Sequence, residues 1–125
     1  MNPFPLSHGL HKRPHKADPK HLRFVHGLPC LICGLPGEAA HVRYASIQHG
    51  KPETGMGRKP DDRWCCPLCP AHHREGPDAQ HGTSERQWWI DHKIDPLNIA
   101  ALLFSASSVD DEDAARYICL GIRGV

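Results

Sequence analysis

The stretch from Pro60 to His81, PDDRWCCPLCPAHHREGPDAQH, concentrates carboxylates, thiols and imidazoles more densely than any other part of the chain. Cys69, His72, His73 and His81 are its candidate metal ligands, and their partners lie upstream at Cys30, Cys33 and His41. If a helix starts near Cys69, residues three apart return to nearly the same face, because successive side chains turn by about 100°. Cys69 and His72 then point together and close a structural zinc site with Cys30 and Cys33. His73 turns toward a different neighbour, a second metal site near His41. Two adjacent histidines thereby serve two ions.

A divalent metal held by imidazoles, with another histidine opposite, suits phosphodiester hydrolysis. The ion stabilises charge on the phosphate, and a histidine with an unperturbed pKa of about 6.5 takes a proton from the attacking water. His41 is the candidate base, because its strand faces the helix, and His73 and His81 are the candidate ligands of the catalytic ion. Asp62 is either a further ligand or the carboxylate that fixes the loop aiming His41. Imidazole suits several transition metals, and an oxygen ligand admits Mg²⁺, so Mg²⁺, Mn²⁺, Ni²⁺ and Zn²⁺ all stay open.

Cys66-Pro-Leu-Cys69 is itself a C-x-x-C, which makes a four-cysteine site of Cys30, Cys33, Cys66 and Cys69 the alternative to the set containing His72. In that alternative Cys66 has to leave its strand to reach the ion. Disulfides are the other use of six cysteines, but the N-terminus lacks the apolar core of a secretion signal, and paired C-x-x-C spacings in a reducing compartment bind metal. The expected location is therefore cytoplasmic. A redox role for Cys30 and Cys33 lacks the surrounding βαβ pattern.

The elements that position these residues follow from local pattern. Residues 1–20 carry three of the prolines before position 15 and no apolar periodicity, and read as an irregular basic arm. Lys12, Arg13, Lys16, Lys20 and Arg23 face Asp18 alone over residues 1–26, a balance consistent with phosphate contact and equally with a solvated tail that touches nothing. His21 to Leu28 reads as a short strand or helical turn leading to the knuckle Cys30-Leu-Ile-Cys33-Gly34, whose glycine can take positive φ. Glu38 to Ala45 reads as a strand with His41 and Arg43 on one face. Residues 46–61 form a loop in which Gly55-Met-Gly-Arg58-Lys59 offers open amides beside two cations. Arg43, Arg58 and Lys59 are the candidate nucleic-acid contacts. Arg63 to Leu68 is a second strand running into Cys69.

Beyond His81, Ser84 and Gln87 stand at capping-box spacing before a helix containing Trp88 and Trp89, which read as packing residues. Asp95 caps a further helix with Pro96 at its first position, and Leu97, Ala100, Ala101 and Phe104 are its expected buried face. A last helix spans about 111–120, with its acidic residues near the N-terminus and Cys119 as a small core residue. With 125 residues, 12 prolines, 11 glycines and 39% apolar content, the chain is one domain's worth with a thin core that gains from a metal staple. No apolar run of 18 residues exists, so no membrane span is expected.

Taken together, the C-x2-C, then AAHVRYA, GMGRKPDDRW, PLCPAHHR and QHGTSERQWW resemble the HNH nuclease superfamily, in particular its small phage- and prophage-associated members, over roughly residues 22–105. The resemblance implies an α+β fold with a zinc-stapled ββα-metal core, an irregular arm at 1–20, a nuclease domain at 21–106 and a helical extension at 107–125 packed on it. It implies metal-dependent nicking or cleavage of DNA, with His41 as general base, Asp62 near the place of the central asparagine and His73 as metal ligand. Related patterns keep the PLC and HH positions and tolerate apolar residues at 65 and 66, which favours His72 over Cys66. Two departures stand out. Ala40 occupies the place just before the base where many members carry a metal ligand, and Glu75 to Ala79 is inserted between His73 and His81. The competing class is a non-catalytic zinc-stapled nucleic-acid-binding module whose histidines are structural.

Overall fold

The computed structural model describes residues 16–53, 59–82 and 84–122. It is a small α+β structure with one two-stranded sheet and several helices. Helix α1 (Pro19–Val25) begins earlier than expected, because Asp18 accepts the N–H of His21 and Pro19 supplies a pre-set φ at the first helical position. Residues 1–15 of the expected arm lie outside the described residues.

Strands β1 (Glu38–His41) and β2 (Cys65–Leu68) pair antiparallel, with Glu38 opposite Leu68 and His41 opposite Cys65. Both are shorter than the alternation suggests. Val42 still donates to the Trp64 carbonyl, but the N–H of Arg43 turns to the Glu85 carboxylate, which ends the ladder. On the other side, Trp64 N–H closes a turn on the Asp61 carbonyl before β2 begins. Every residue of β2 is buried, between the sheet's partner strand, α1 and a later helix, Pro96–Ser108.

After β2 the chain enters a π-helical turn, Ala71–Glu75. An i+5 bond from Gly76 N–H to the Ala71 carbonyl closes it at 2.9 Å. A Cβ at Gly76 would sit 2.7 Å from that carbonyl oxygen, so only glycine permits the closure. The expected α-helix from Cys69 is thus a widened turn, a form that recurs at functional sites. A 3₁₀ turn (Gln80–Gly82) follows, then helices α2 (Glu85–Asp91), α3 (Pro96–Ser108) and α4 (Glu112–Ile122).

Two details differ from expectation. Ser84 flanks α2 without a side-chain capping bond, and Gln87 reaches forward one turn to Asp91 (2.7 Å) rather than back to the cap. On α3 the buried stripe runs through Leu97, Ile99, Ala100, Leu103 and Ala106, whereas Ala101 and Phe104 are half-buried. The stripe is wide because α3 packs against α1, β2 and α4 at once. Leu97 and Leu103, each contributing about 1.5–3 kcal/mol on full burial, anchor it. The Asp95 cap forms as expected, accepting the N–H groups of Leu97 and Asn98. Ala115 and Cys119 of α4 belong to the same core as Leu28, Val42 and the three tryptophans. Among the described residues no helix is long and apolar enough to cross a membrane.

Candidate metal centre and histidine cluster

The knuckle at Cys30 is built by Gly34, at φ +84°, whose N–H returns to the Cys30 carbonyl while Ile32 N–H donates to Cys30 Sγ at 3.4 Å. The π-helical turn brings the other half. Cys33 Sγ lies 3.6 Å from Cys69 Sγ, and His72 Nδ1 lies 3.4 Å from Cys69 Sγ and 3.9 Å from Cys30 Sγ. A tetrahedral ion with thiolate bonds of about 2.3 Å and an imidazole bond of about 2.0 Å has sulfur–sulfur edges of roughly 3.8 Å and sulfur–nitrogen edges of roughly 3.6 Å. The three close contacts among the four donors are thus of the length that such an ion requires. Among the described residues, Cys30, Cys33, Cys69 and His72 form the one group of three or more potential ligands whose donor atoms all lie within 4.8 Å of one another.

The electrostatics suit a cation. Burial raises the Cys30 thiol, but the backbone N–H groups of Cys69, Cys33 and Ile32 outweigh it and hold the thiol below its ordinary range. Burial, with the neighbouring thiols, pushes Cys33 up to about 11. Without a cation the cluster thus resists a second thiolate beside the first, and an ion at its centre removes that resistance.

The four-cysteine alternative is not formed. Cys66 is fully buried in β2 opposite Ala40, and its Sγ–H donates to the Pro96 carbonyl at 3.2 Å. Burial raises that thiol well above its ordinary value, as suits a core residue.

A second cluster lies around the other histidines. His73 Nδ1 sits 2.6 Å from Oε2 of Glu38, and Arg74 forks onto the same carboxylate at 2.9 and 3.3 Å. Arg74 holds the Glu38 carboxyl below its usual range against the opposing effect of burial, with His73 adding to the lowering. The His73 and His81 rings meet edge to face with centroids 4.7 Å apart. Burial, then the charges of Arg43 and His73, lowers the His81 pKa. The inserted Glu75 to Ala79 segment therefore does not carry His81 away from His73.

His41 ends β1 with its Nε2 3.0 Å from Oδ1 of Asp62. The second oxygen of Asp62, itself 3% exposed, accepts the N–H of Asp18 at 2.8 Å. This is the contact that the orienting role of Asp62 calls for. The His41 carbonyl accepts from the fully buried Gln80 side chain, which ties the neighbouring His81 to the end of β1. Gln80 also donates to Glu85, whose carboxylate accepts from Arg43 and from the indole of Trp89.

Glu38, Gln80 and Glu85 were not legible as site residues. Glu38 reads only as the first residue of a strand, and nothing in spacing alone brings residue 80 or 85 back to residue 41. Among the candidate nucleic-acid contacts, Arg43 is half exposed and paired with Glu85 at 3.2 Å, Lys59 is exposed, and Arg58 lies outside the described residues.

Residues 8–90 match the family model described as protein of unknown function (DUF968). Among curated proteins, the chain is 39% identical over 66 residues to the uncharacterized protein YdfU of Escherichia coli (strain K12). That alignment covers 53% of this chain and 18% of the relative, so the chain spans under a fifth of YdfU. No solved structure matches.

Proposed function

We propose that this chain, which belongs to the DUF968 family, is a metal-dependent DNA endonuclease of the HNH type with a ββα-metal core. One observation carries the reading. The donors fall into two separate sets, a sulfur-rich tetrahedron around Cys69 and a group of imidazoles in which His73 meets His81 while His41 is held by a buried carboxylate. A stapled adaptor needs only the first set.

Three thiolates and one imidazole are a ligand set that zinc takes in closed structural sites, so the staple ion is assigned as Zn²⁺. His73 and His81, whose rings meet 4.7 Å apart, would be the imidazoles offered to a second divalent ion, which would supply charge stabilisation to the phosphate. The chain's own residues do the rest. Asp62 accepts from Nε2 of His41 and so fixes the tautomer whose lone pair is on Nδ1. That nitrogen takes the proton of the attacking water, and Asp62 stabilises the imidazolium that results. The Asp18 N–H keeps the carboxylate from rotating. Arg43 and Lys59, with Arg58, contact phosphates of the DNA backbone.

The test is nicking of supercoiled plasmid with Mg²⁺, Mn²⁺, Ni²⁺ or Zn²⁺, comparing wild type with His41→Ala. Nicking by wild type, reduced about 10²–10⁴-fold in the variant, is the expected result. Equal nicking by both proteins removes the catalytic assignment. Retained DNA binding with no nicking under any of the four ions leaves the zinc-stapled binding module instead.

A further inference from the structure

We infer that Glu38 is the positioning residue of the second metal site, holding His73 as its Nδ1–H tautomer so that Nε2 is presented to the ion. The inference rests on the proposed function and deepens it. It also answers the departure at Ala40, where an expected donor is replaced by a methyl group that is fully buried in the core.

The argument is one of donors and acceptors. An ionised carboxylate only accepts, so a ring nitrogen 2.6 Å from Oε2 of Glu38 must carry the hydrogen. Arg74 gives the carboxylate two further bonds, which fixes its plane. The proton on Nδ1 leaves the lone pair on Nε2, across the ring from Glu38. Metal-bound histidines commonly give their second ring N–H to a carboxylate in this way, which sets both tautomer and ring orientation. The backbone makes the contact cheap to hold. Glu38 opens β1 opposite Leu68, and His73 follows β2 by one tight turn whose N–H of residue 73 returns to the Cys69 carbonyl at 2.8 Å. Cys69 and His72 are anchored in the sulfur cluster, so the staple fixes the position of His73 relative to Glu38.

The experiment has two readouts on staple-loaded protein: the ring-nitrogen NMR spectrum, with His73 assigned by comparison with His73→Ala, and Co²⁺ titration of the remaining site. In wild type His73 should be a single Nδ1–H tautomer. In Glu38→Gln, whose amide can both donate and accept, His73 should become a mixture, and Co²⁺ should bind about 10–100-fold more weakly. Arg74→Gln serves as the control for mere loosening of the turn and should leave the tautomer single. A protonated Nε2 in wild type, an unchanged tautomer in Glu38→Gln, or an equal shift in Arg74→Gln each overturns the positioning role. Wild type that binds Co²⁺, with Glu38→Gln binding it equally well, overturns that role alone. Wild type that binds no ion beyond the staple overturns the proposed function, and the ligand role of His73 with it.

Discussion

Asp62 faces His41 with one carboxylate oxygen and the N–H of Asp18 with the other, at 3.0 and 2.8 Å. The segment before α1 is therefore stitched to the loop before β2, and the stitch passes through the proposed base. Lys16 reinforces it, since its N–H donates to Asp61 and its carbonyl accepts from Asp62 N–H.

Replacing Asp62 by asparagine keeps the shape and changes the hydrogen logic. An amide that turns its NH₂ toward His41 Nε2 stabilises the opposite tautomer and places the proton where the lone pair is needed. We expect Asp62→Asn to lower nicking by about 10²–10⁴-fold, as loss of the orienting carboxylate does in other histidine-based sites. Stability should fall by only about 1–3 kcal/mol, because the asparagine oxygen can still accept from Asp18. Nicking rates alongside chemical denaturation separate the two effects.

Metal removal should distinguish the staple from the core thiol. Chelation, Cys33→Ser or His72→Ala each break the tetrahedron, and each should release the ion and abolish cooperative folding, since binding at such sites contributes on the order of 10 kcal/mol. Cys66→Ala should keep a full equivalent of metal and lose on the order of 1 kcal/mol, from a small cavity and the lost contact to the Pro96 carbonyl. Metal content by mass spectrometry checks both; loss of metal in Cys66→Ala with retention in His72→Ala would reverse the assignment.

Much of the staple was legible because its signal is local. C-x-x-C with a following glycine, and Cys69 three residues before His72, need only one turn geometry each, and both halves were identifiable before the fold was known. The strands' existence and the Asp95 cap were legible for the same reason. Tertiary contacts were not. The ladder between β1 and β2 stops where a carboxylate 42 residues away captures the Arg43 N–H, and α3 buries Leu103 as well as Leu97 because three elements crowd it. Local pattern also favoured an α-helix after Cys69, whereas Gly76 closes the turn with a longer bond. Glu38 escaped notice since its partner, His73, is brought to it only when β2 lies against β1.

His21 gives a pH dependence whose sign can be worked out. It is 1% exposed, packs edge-on to Phe104 with centroids 5.1 Å apart, and neither ring nitrogen has a hydrogen-bond partner. Burial lowers its pKa below 6.5, against the raising effect of Asp18 and Asp62. The unfolded chain therefore binds this proton first. The stability contributed by the neutral ring is complete above about pH 6.5 and declines as pH falls toward the folded pKa, by at most about 1.4 kcal/mol per pH unit. His21→Leu should flatten the melting-temperature profile between pH 7 and 5 and should cost little at pH 7, because it removes two orphaned polar atoms. An unchanged profile in the variant would assign the acid sensitivity elsewhere.

Glu85 joins the helical half of the molecule to the strand that carries His41. Its carboxylate, 8% exposed, accepts from Arg43 N–H and Nε, from Gln80 Nε2 and from Trp89 Nε1. Truncation to alanine leaves the Trp89 indole without its acceptor and the Gln80 amide with the His41 carbonyl alone, which should cost about 1–3 kcal/mol. Arg43→Ala should cost under about 1 kcal/mol, since that guanidinium is half exposed and the other two donors keep their acceptor. The two changes should be non-additive, with the double variant about as stable as Glu85→Ala alone. Because Gln80 holds both Glu85 and the His41 carbonyl, Glu85→Ala should also lower kcat for nicking more than it raises KM. A variant that loses stability while keeping kcat would make the hub purely structural.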